Sequence, residues 1–229
     1  MLTERKKQLL NTIIRRHIKE AQPVGSSVIA EMKHFDVSPA TIRNEMMALE
    51  KEGYLYQPHT SAGRLPTEKA WRYYLDNKVA EKVKLAPSSE KQLSQALKRG
   101  ENKNQAIKEM SKELAEISKL TIFFSFTPND NFYTGIANLF HHPEFSEQEI
   151  IYEVSSLIDH LDEVVSKLFP RVASQACILI GKDNPFGVHC GLTVIKGKQG
   201  MLGMLGPIRQ DYHYNCALLD YSQVLVTNL

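Results

Sequence analysis

The chain has few cysteines and no long apolar run, and each shortage excludes a class of protein. Its 229 residues include three cysteines, Cys177, Cys190 and Cys216, with no CxxC pair. Three widely spaced cysteines argue against a disulfide framework or a zinc site and favour reduced core thiols. No apolar run reaches the roughly 18 residues that span a bilayer, and the N-terminus has no apolar signal core. We therefore expect a cytoplasmic protein with no membrane partner.

Catalytic and cofactor motifs are also scarce. The string GMLGMLG lacks the Lys-Ser/Thr ending of a phosphate-binding loop, and its alternating apolar residues favour a strand. Histidines stand beside carboxylates at 141–144 and 159–162, but neighbouring side chains on a loop or helix point in different directions. No Ser-His-Asp or Cys-His set stands out. The sequence predicts a protein that is not an enzyme and holds no metal or cofactor.

Net charge is small, but it is unevenly distributed. Residues 1–85 carry 15 Lys and Arg against 10 Asp and Glu, a balance of +5, whereas residues 86–229 carry 13 against 16, a balance of −3. The basic part is compatible with phosphate binding without establishing it, since many protein surfaces are as basic.

Residues 23–66 have the pattern of a helix-turn-helix that runs into a wing. Ser38 is a good N-cap, and Pro39 fits the first helical position, where a missing N–H costs nothing. Gly53 suits the left-handed residue that closes a helix. The sequence therefore predicts a recognition helix over about residues 39 to 52.

This helix has one apolar and one polar side. At 100° per residue, Ile42, Met46 and Leu49 form a core stripe. The side away from that stripe carries the candidate base-reading residues Ala40, Thr41, Arg43, Asn44 and Met47. Arg43 can pair with guanine and Asn44 with adenine, and the other three can touch a thymine methyl. An ordinary solvated surface helix is the alternative interpretation.

The flanking segments supply candidate phosphate and wing contacts. Thr3 can cap a helix to about Ala21, and a short helix should run from the glycine at position 25 to about Lys33. After the β-prone Tyr54-Leu55-Tyr56, residues 57–64 are polar, turn-rich and basic. The candidate contacts are Ser26, Ser27, Ser38, His59, Thr60, Ser61 and Arg64, with Arg5, Lys6 and Lys7 as further phosphate candidates or as a solvated helix face. His17 should lie at the core edge, and Trp71 and Tyr74 should pack on this domain.

These strings resemble the HrcA family of heat-inducible transcription repressors. The strings LTERKKQLLNTIIRRHI, PVGSSVIAE and VSPATIRNEMMALEKEGYLYQPHTSAGRLPTEKAWRYYLD resemble its N-terminal domain over about residues 2–76. GIANLFHHPEF, ILIGKDNP and GMLGMLGPIRQDYHY resemble its C-terminal region. The resemblance implies a GAF-like dimerisation domain, repression of chaperone operons through an inverted-repeat operator called CIRCE, and dependence on the GroEL chaperonin as a partner.

The chain departs from the family between ISKLTIFFSFTPND and NFYTGIANLF, where it omits a long stretch that typical members possess. That stretch holds part of the GAF-like domain and an inserted dimerising domain. The omission leaves the dimer geometry and any GAF-type ligand pocket open, but it does not touch the DNA-reading segment.

The second half of the chain has the pattern of a small α/β domain. Strands are predicted at about 121–127, 176–180, 191–196 and 201–206, one helix at about 145–169, and a closing helix at 220–229. Together these patterns predict an α+β protein. Its domains are a winged-helix DNA-binding domain at 1–77, a charged helical connector at 78–103, and a reduced GAF-like dimerisation and regulatory domain at 104–229.

Two functions remain from this reasoning. The first is a repressor that binds double-stranded DNA at an inverted-repeat operator as a homodimer, because two-fold protein symmetry matches two-fold DNA symmetry. A sheet of three or four strands also leaves edges that a second subunit can cover. The second is a DNA-binding regulator whose C-terminal domain senses a small-molecule ligand.

Overall fold

The structure, a computed structural model, describes residues 2–32, 35, 37–78, 83–146 and 148–229. The chain divides into two units, Met1–Ala80 and Glu81–Leu229, each with its own core. None of the helices in the described part of the chain combines the length and the apolar character needed to cross a membrane.

The first unit is three helices, a two-stranded hairpin and a fourth helix, which is the element order of a winged helix-turn-helix. The elements are α1 (Glu4–Glu20), α2 (Ser26–Ala30), α3 (Pro39–Lys51), β1 (Leu55–Tyr56), β2 (Leu65–Pro66) and α4 (Glu68–Lys78). The Thr3 cap is confirmed, since its hydroxyl accepts the Lys6 N–H over 3.4 Å. Helix α2 ends at Ala30, earlier than predicted, and Lys33 lies outside the described residues.

The core of the first unit forms between α1, α3 and α4. Helix α1 buries an apolar stripe. Helix α4 buries Trp71, which is 1% exposed and meets Tyr74 edge to face, with 6.3 Å between the ring centroids. His17 is half-buried, with Nδ1 3.2 Å from the Gln22 oxygen. The predicted placement of all three side chains is confirmed.

The second unit is a five-stranded antiparallel sheet with helices on both faces. The sheet order is β4-β3-β7-β6-β5, with two short 3-10 turns at Pro143–Phe145 and Gly181–Asp183 in the connections. The elements are α5 (Pro87–Leu97), α6 (Lys103–Ser118), β3 (Thr121–Thr127), β4 (Asp130–Thr134), α7 (Ile136–His141), α8 (Gln148–Asp159), α9 (Leu161–Leu168), β5 (Cys177–Ile180), β6 (Cys190–Gly197), β7 (Gly200–Pro207) and α10 (Tyr212–Thr227). The predicted α+β class is confirmed.

Successive residues of each strand face opposite sides of the sheet, so the sheet takes part in two cores. Phe124 and Leu202 lie in the core under α5, α6 and α10, whereas Phe123 and Leu192 lie in the core under α7 and α9. Gly203 stands opposite Phe123, and a Cβ there would lie 2.2 Å from Phe123 Cζ. A glycine at this register position therefore makes room for the Phe123 ring.

A separate connector was predicted at 78–103. This prediction is wrong for residues 83–103, which belong to the second unit although part of the segment is helical as expected. Helix α5 buries Leu93 in the core against α6 and α10, and its Ser89 and Ser94 hydroxyls lie 3.0 Å from the Tyr214 and Tyr221 hydroxyls. Residues 83–103 therefore belong to the second unit, while 79–82 lie outside the described residues. Helix α5 is mostly polar, but it has a narrow apolar stripe that packs into this core.

Three further elements differ from expectation. Strand β4 is additional, an edge strand joined to β3 by a tight turn. The single helix predicted at about 145–169 is two helices, because His160 leaves the helical conformation with φ −113°. Helix α10 begins at Tyr212, earlier than predicted, since Asp211 caps it by accepting the Tyr214 N–H over 3.1 Å.

Candidate nucleic-acid interface

The start of α3 is fixed by its cap. The Ser38 Oγ accepts the Thr41 N–H over 3.1 Å, and Pro39 occupies the first turn. The Thr41 Oγ1 lies 3.0 Å from the same Ser38 oxygen, so both hydroxyls are already engaged in the cap. The predicted helix start is confirmed.

Helix α3 has a buried stripe and an exposed strip. Its buried side is Ile42, Met46 and Leu49, as predicted. The exposed strip consists of Ala40, Arg43, Asn44 and Met47, all of which are solvent-accessible, with the Met47 side chain 43% exposed. Thr41 is half-buried at the border of the strip. The structure therefore brings four of the five base-reading candidates onto one open face.

The exposed strip carries an uncompensated positive charge. Among the described residues, Arg43 has no hydrogen-bond or ion-pair partner, in contrast to the other arginines of this unit. A guanidinium held on a helix and free of a carboxylate is available to an acceptor pair outside the protein. Asn44 beside it adds an amide that both donates and accepts.

The wing is held in shape by one glutamine that the sequence analysis did not single out. The Gln57 Nε2 donates to the Thr60 and Ala62 oxygens, each over 2.9 Å, and so closes the loop from inside. His59, Thr60 and Ser61 are exposed at the tip, with the Ser61 Oγ 3.3 Å from the His59 Nδ1. These three candidates therefore share one surface loop.

The base of the wing is joined to the segment that precedes α2. Val24 and Arg64 form an antiparallel bridge, and a Cβ at Gly63 would lie 2.4 Å from the Val24 carbonyl carbon. Ser26 and Ser27 follow directly in α2, where Ser26 is half-buried and Ser27 exposed. Residues of the wing and the start of α2 are thus brought together through backbone contacts.

Arg64 differs from its predicted role as a free wing cation. Its Nε donates to the Glu50 Oε2 over 2.9 Å, and only 14% of its side chain is exposed. The guanidinium is covered and neutralised by the C-terminal turn of α3. Glu50 lies fourteen positions earlier in the sequence, so no local pattern indicated this contact. The contact depends on how the hairpin folds back onto α3.

The cations of α1 are also paired. Arg5 contacts Glu45 of α3, and Lys6 donates to Glu52 at the end of that helix. Lys7 donates to Glu4 over 2.7 Å within α1, and this hydrogen bond raises the pKa of the Lys7 ammonium. The three lysine and arginine side chains expected as phosphate contacts or as a solvated face are instead ion-paired on the protein surface.

Three of the polar groups considered for metal or acid–base chemistry, His142, Glu144 and Asp162, have structural partners. Arg209 pairs with Glu144, His142 Nε2 lies 3.1 Å from the Lys119 oxygen, and Asp162 accepts hydrogen bonds from Asn131 and Tyr133. Burial lowers the pKa of His142. The described residues include no cluster of three or more histidine, cysteine or acidic side chains arranged to hold a metal ion.

Comparison with solved structures bears on the fold. The whole chain superposes on 98% of a crystal structure described only as a hypothetical protein, with a TM-score of 0.78 at 17% identity. This likeness extends across both units and shows a shared fold.

Comparison with curated proteins finds heat-inducible transcription repressors named HrcA. The protein of Bifidobacterium animalis subsp. lactis is 46% identical over 97 residues, which are 42% of this chain and 26% of the relative. That of Natranaerobius thermophilus is 42% identical over 121 residues, 52% of this chain and 35% of the relative. That of Desulforudis audaxviator is 56% identical over 75 residues, 33% of this chain and 22% of the relative. The matched segments thus span about a fifth to a third of these relatives.

A family model covers a longer part of the chain. The model of the HrcA protein C terminal domain matches residues 75–214, more than half of the sequence and most of the second unit, which is GAF-like as expected. This match and the resemblance of the strings in the first unit agree. The chain belongs to the HrcA family.

Proposed function

We propose that this chain is a sequence-specific DNA-binding transcriptional repressor of heat-shock chaperone genes. The observation that carries the proposal is the exposed strip of α3, which presents Arg43 and Asn44 near the start of a capped helix. Helix-turn-helix proteins place the N-terminal part of this helix against base edges in the major groove. The names of the curated relatives, heat-inducible transcription repressors, agree with this use of the strip.

The side chains of α3 have distinct roles in this proposal. Arg43 donates to the O6 and N7 acceptors of a guanine, and Asn44 pairs with an adenine through its amide. Ala40, Met47 and the methyl group of Thr41 contact thymine methyl groups. Sequence is therefore read by a short set of neighbouring residues within two turns of one helix.

The surrounding polar groups hold the protein on the DNA backbone. The wing tip at His59, Thr60 and Ser61 is exposed and closed by Gln57, so it can follow a phosphate strand beside the groove. The hydroxyls of Ser26, Ser27 and Ser38 are the other backbone contacts of this proposal. Such contacts fix position and orientation without reading sequence.

The operator we propose is an inverted repeat of the CIRCE type, bound by a homodimer. Each protomer places one α3 in a major groove, and the half-sites lie one helical turn, about 34 Å, or a multiple of it apart. The sheet of the second unit has two outer strands, β4 and β5, and unpaired strand edges favour pairing with another chain. The second unit is therefore the proposed dimerisation and regulatory domain.

Release on heat stress follows from the same arrangement. Thermal unfolding of the second unit would separate the protomers, and a monomer has lost the second half-site contact. A GroEL-type chaperonin would restore the folded, operator-binding dimer. Operator occupancy in cells should then fall when chaperonin is depleted, and occupancy that is unaffected by depletion would contradict this part of the proposal.

The experiment that tests the proposed function is binding to two labelled duplexes at one fixed salt concentration. One duplex carries the inverted repeat of a chaperone-operon promoter, and the other has the same base composition in scrambled order. We expect the repeat to bind at least about a thousandfold more tightly, as specific regulators do. Equal affinity for the two duplexes would reject sequence-specific repression.

A further inference from the structure

Three carboxylates belong to α3 or its C-terminal end, and each is paired with a cation from another element. Glu45 contacts Arg5, Glu52 contacts Lys6, and Glu50 contacts Arg64 of the wing. We refer to these three contacts as the shielding pairs. All three join parts of the first unit that are distant in sequence, so they form only when the unit is folded.

The shielding pairs lie at different distances from the exposed strip: the Glu50–Arg64 pair borders it, whereas the other two pairs lie on the side of α3 that faces α1. At 100° per residue, Glu50 falls near Arg43 on the flank that faces the wing, whereas Glu45 and Glu52 fall near Thr41 on the flank that faces α1. The exposed strip runs between these flanks. A duplex seated on the strip would therefore approach Glu50 most closely, and would act on Glu45 and Glu52 from further away through the electrostatic field.

Each pair has one partner that is largely covered and one that is more exposed. The Glu45 side chain is 14% exposed beneath Arg5, and the Arg64 side chain is 14% exposed beside Glu50. Arg64 is also held by its backbone bridge to Val24. Arg64 cannot reach a phosphate while it keeps these contacts.

Electrostatics gives these contacts a consequence for DNA binding. B-DNA carries one negative charge for about every 1.7 Å of its axis, so a bare carboxylate on either flank would repel the duplex. Exposed ion pairs contribute little to folding stability. Their larger effect is to compensate three negative charges on α3 and its C-terminal end, one of them at the edge of the strip.

We infer that Arg5, Lys6 and Arg64 promote DNA binding by shielding Glu45, Glu52 and Glu50, and that they are positioning residues rather than phosphate contacts. This inference rests on the proposed function. In this inference the exposed strip and the wing tip attract the DNA. The three cations act indirectly, by neutralising the carboxylates with which they are paired.

A double-variant cycle on Arg64 and Glu50 tests the inference. We expect Arg64→Gln to weaken binding to the inverted-repeat duplex by about fivefold or more, within the usual range of coupled contacts. Glu50→Gln alone should bind at least as tightly as the wild type. The double variant Arg64→Gln/Glu50→Gln should return to within about twofold of the wild type, because the charge that needed shielding is gone.

The salt dependence gives a second readout. A lost phosphate contact lowers the slope of log K against log salt by about 0.9, whereas the double variant should keep the wild-type slope. A double variant as weak as Arg64→Gln, with a reduced slope, would show that Arg64 is itself a phosphate contact and overturn the inference. If Arg64→Gln does not fold, as judged by Trp71 emission, the cycle of Arg5→Gln and Glu45→Gln replaces it with the same expectations.

The outcomes separate the inference from the proposed function. Equal binding of the wild type to the repeat and scrambled duplexes would contradict the sequence-specific function. The recovery of binding in the double variant can still be measured on either duplex in that case, and recovery would support the inference. Wild-type protein that binds neither duplex contradicts both. Specific binding without recovery contradicts the inference alone.

Discussion

Val24 and Arg64 exchange two backbone hydrogen bonds, with the Val24 N–H donating to the Arg64 oxygen over 3.0 Å and the Arg64 N–H donating to the Val24 oxygen over 2.9 Å. The segment that enters α2 is thereby added to β2 as the outer edge of the wing hairpin. Since α2 packs on α3, the wing and the helix that carries the exposed strip share one backbone framework.

This framework predicts the effect of a single methyl group at the wing base. A Cβ at Gly63 would lie 2.4 Å from the Val24 carbonyl carbon, and backbone atoms cannot yield as a flexible side chain can. We expect Gly63→Ala to lower the free energy of unfolding of the first unit by about 1 to 3 kcal/mol. Urea unfolding followed by Trp71 emission measures it.

The matched control for this variant is Gly25→Ala. Its added Cβ would meet only the Ser27 Oγ, at 3.8 Å, and its φ of −83° suits any residue. The control should unfold close to the wild-type midpoint. Equal midpoints for the two alanine variants would contradict the close approach of Gly63 to Val24.

The Ser38 cap leads to a second stability prediction. Ser38→Ala removes the acceptor of the Thr41 N–H and should lower the free energy of unfolding by about 1 kcal/mol. Ser27→Ala removes an exposed hydroxyl that caps nothing and should leave stability nearly unchanged. The comparison uses the same urea titration, and a Ser38→Ala midpoint no lower than that of Ser27→Ala would count against the cap.

Buried thiols predict how the second unit responds to alkaline pH. Burial raises the pKa of the Cys190 thiol from 9.0 to about 12. Between those values the unfolded chain loses the proton and the folded chain keeps it, so the free energy of unfolding falls as the pH rises, by at most about 1.4 kcal/mol per pH unit. Below pH 9 this contribution to stability is fully present.

Urea unfolding of the second unit at pH 8 and pH 10, followed by far-ultraviolet circular dichroism, measures this effect. Cys190→Ala should lose less stability between the two pH values than the wild type does. Cys177→Ala serves as the control, because Cys177 is only half-buried. Identical pH dependence in the wild type and Cys190→Ala would contradict the buried, protonated state of this thiol.

The chain carries a separate reporter in each unit, which allows the proposed heat response to be measured. Its single tryptophan, Trp71, lies in the first unit, and all three cysteines lie in the second. On heating, we expect labelling of Cys190 by a thiol reagent to begin at a lower temperature than the red shift of Trp71 emission. A Trp71 shift that comes first would mean that the first unit unfolds before the second, which would contradict the proposal.

The parts of the fold that the sequence predicted correctly are those set by local chemistry. The start of α3 depends on Ser38 and Pro39, and strand β3 depends on the β-prone apolar run at 121–127, so neighbouring residues were sufficient. The exposed strip follows from the helical period alone. Its use in reading DNA stays a prediction.

The parts that the sequence did not predict depend on contacts between distant residues. Arg64 was expected to contact DNA from the wing, yet the hairpin brings it to Glu50, fourteen positions earlier. Strand β4 lies at the edge of the sheet without a clear apolar pattern, and its pairing with β3 defines it. Helix α5 has the composition of a linker but buries Leu93 in the second core.

The most direct test of the central claim is the affinity of Arg43→Ala for the inverted-repeat duplex, measured by fluorescence anisotropy at one fixed salt concentration. Arg171→Ala is the matched control, since it removes an exposed arginine of the second unit. We expect Arg43→Ala to lose about 1 to 3 kcal/mol of binding free energy and to discriminate less between bases at one position of the site, as for a lost guanine contact. We expect Arg171→Ala to bind as the wild type does. Wild-type affinity and unchanged base preference in Arg43→Ala would contradict the assignment of the exposed strip as the DNA-reading surface.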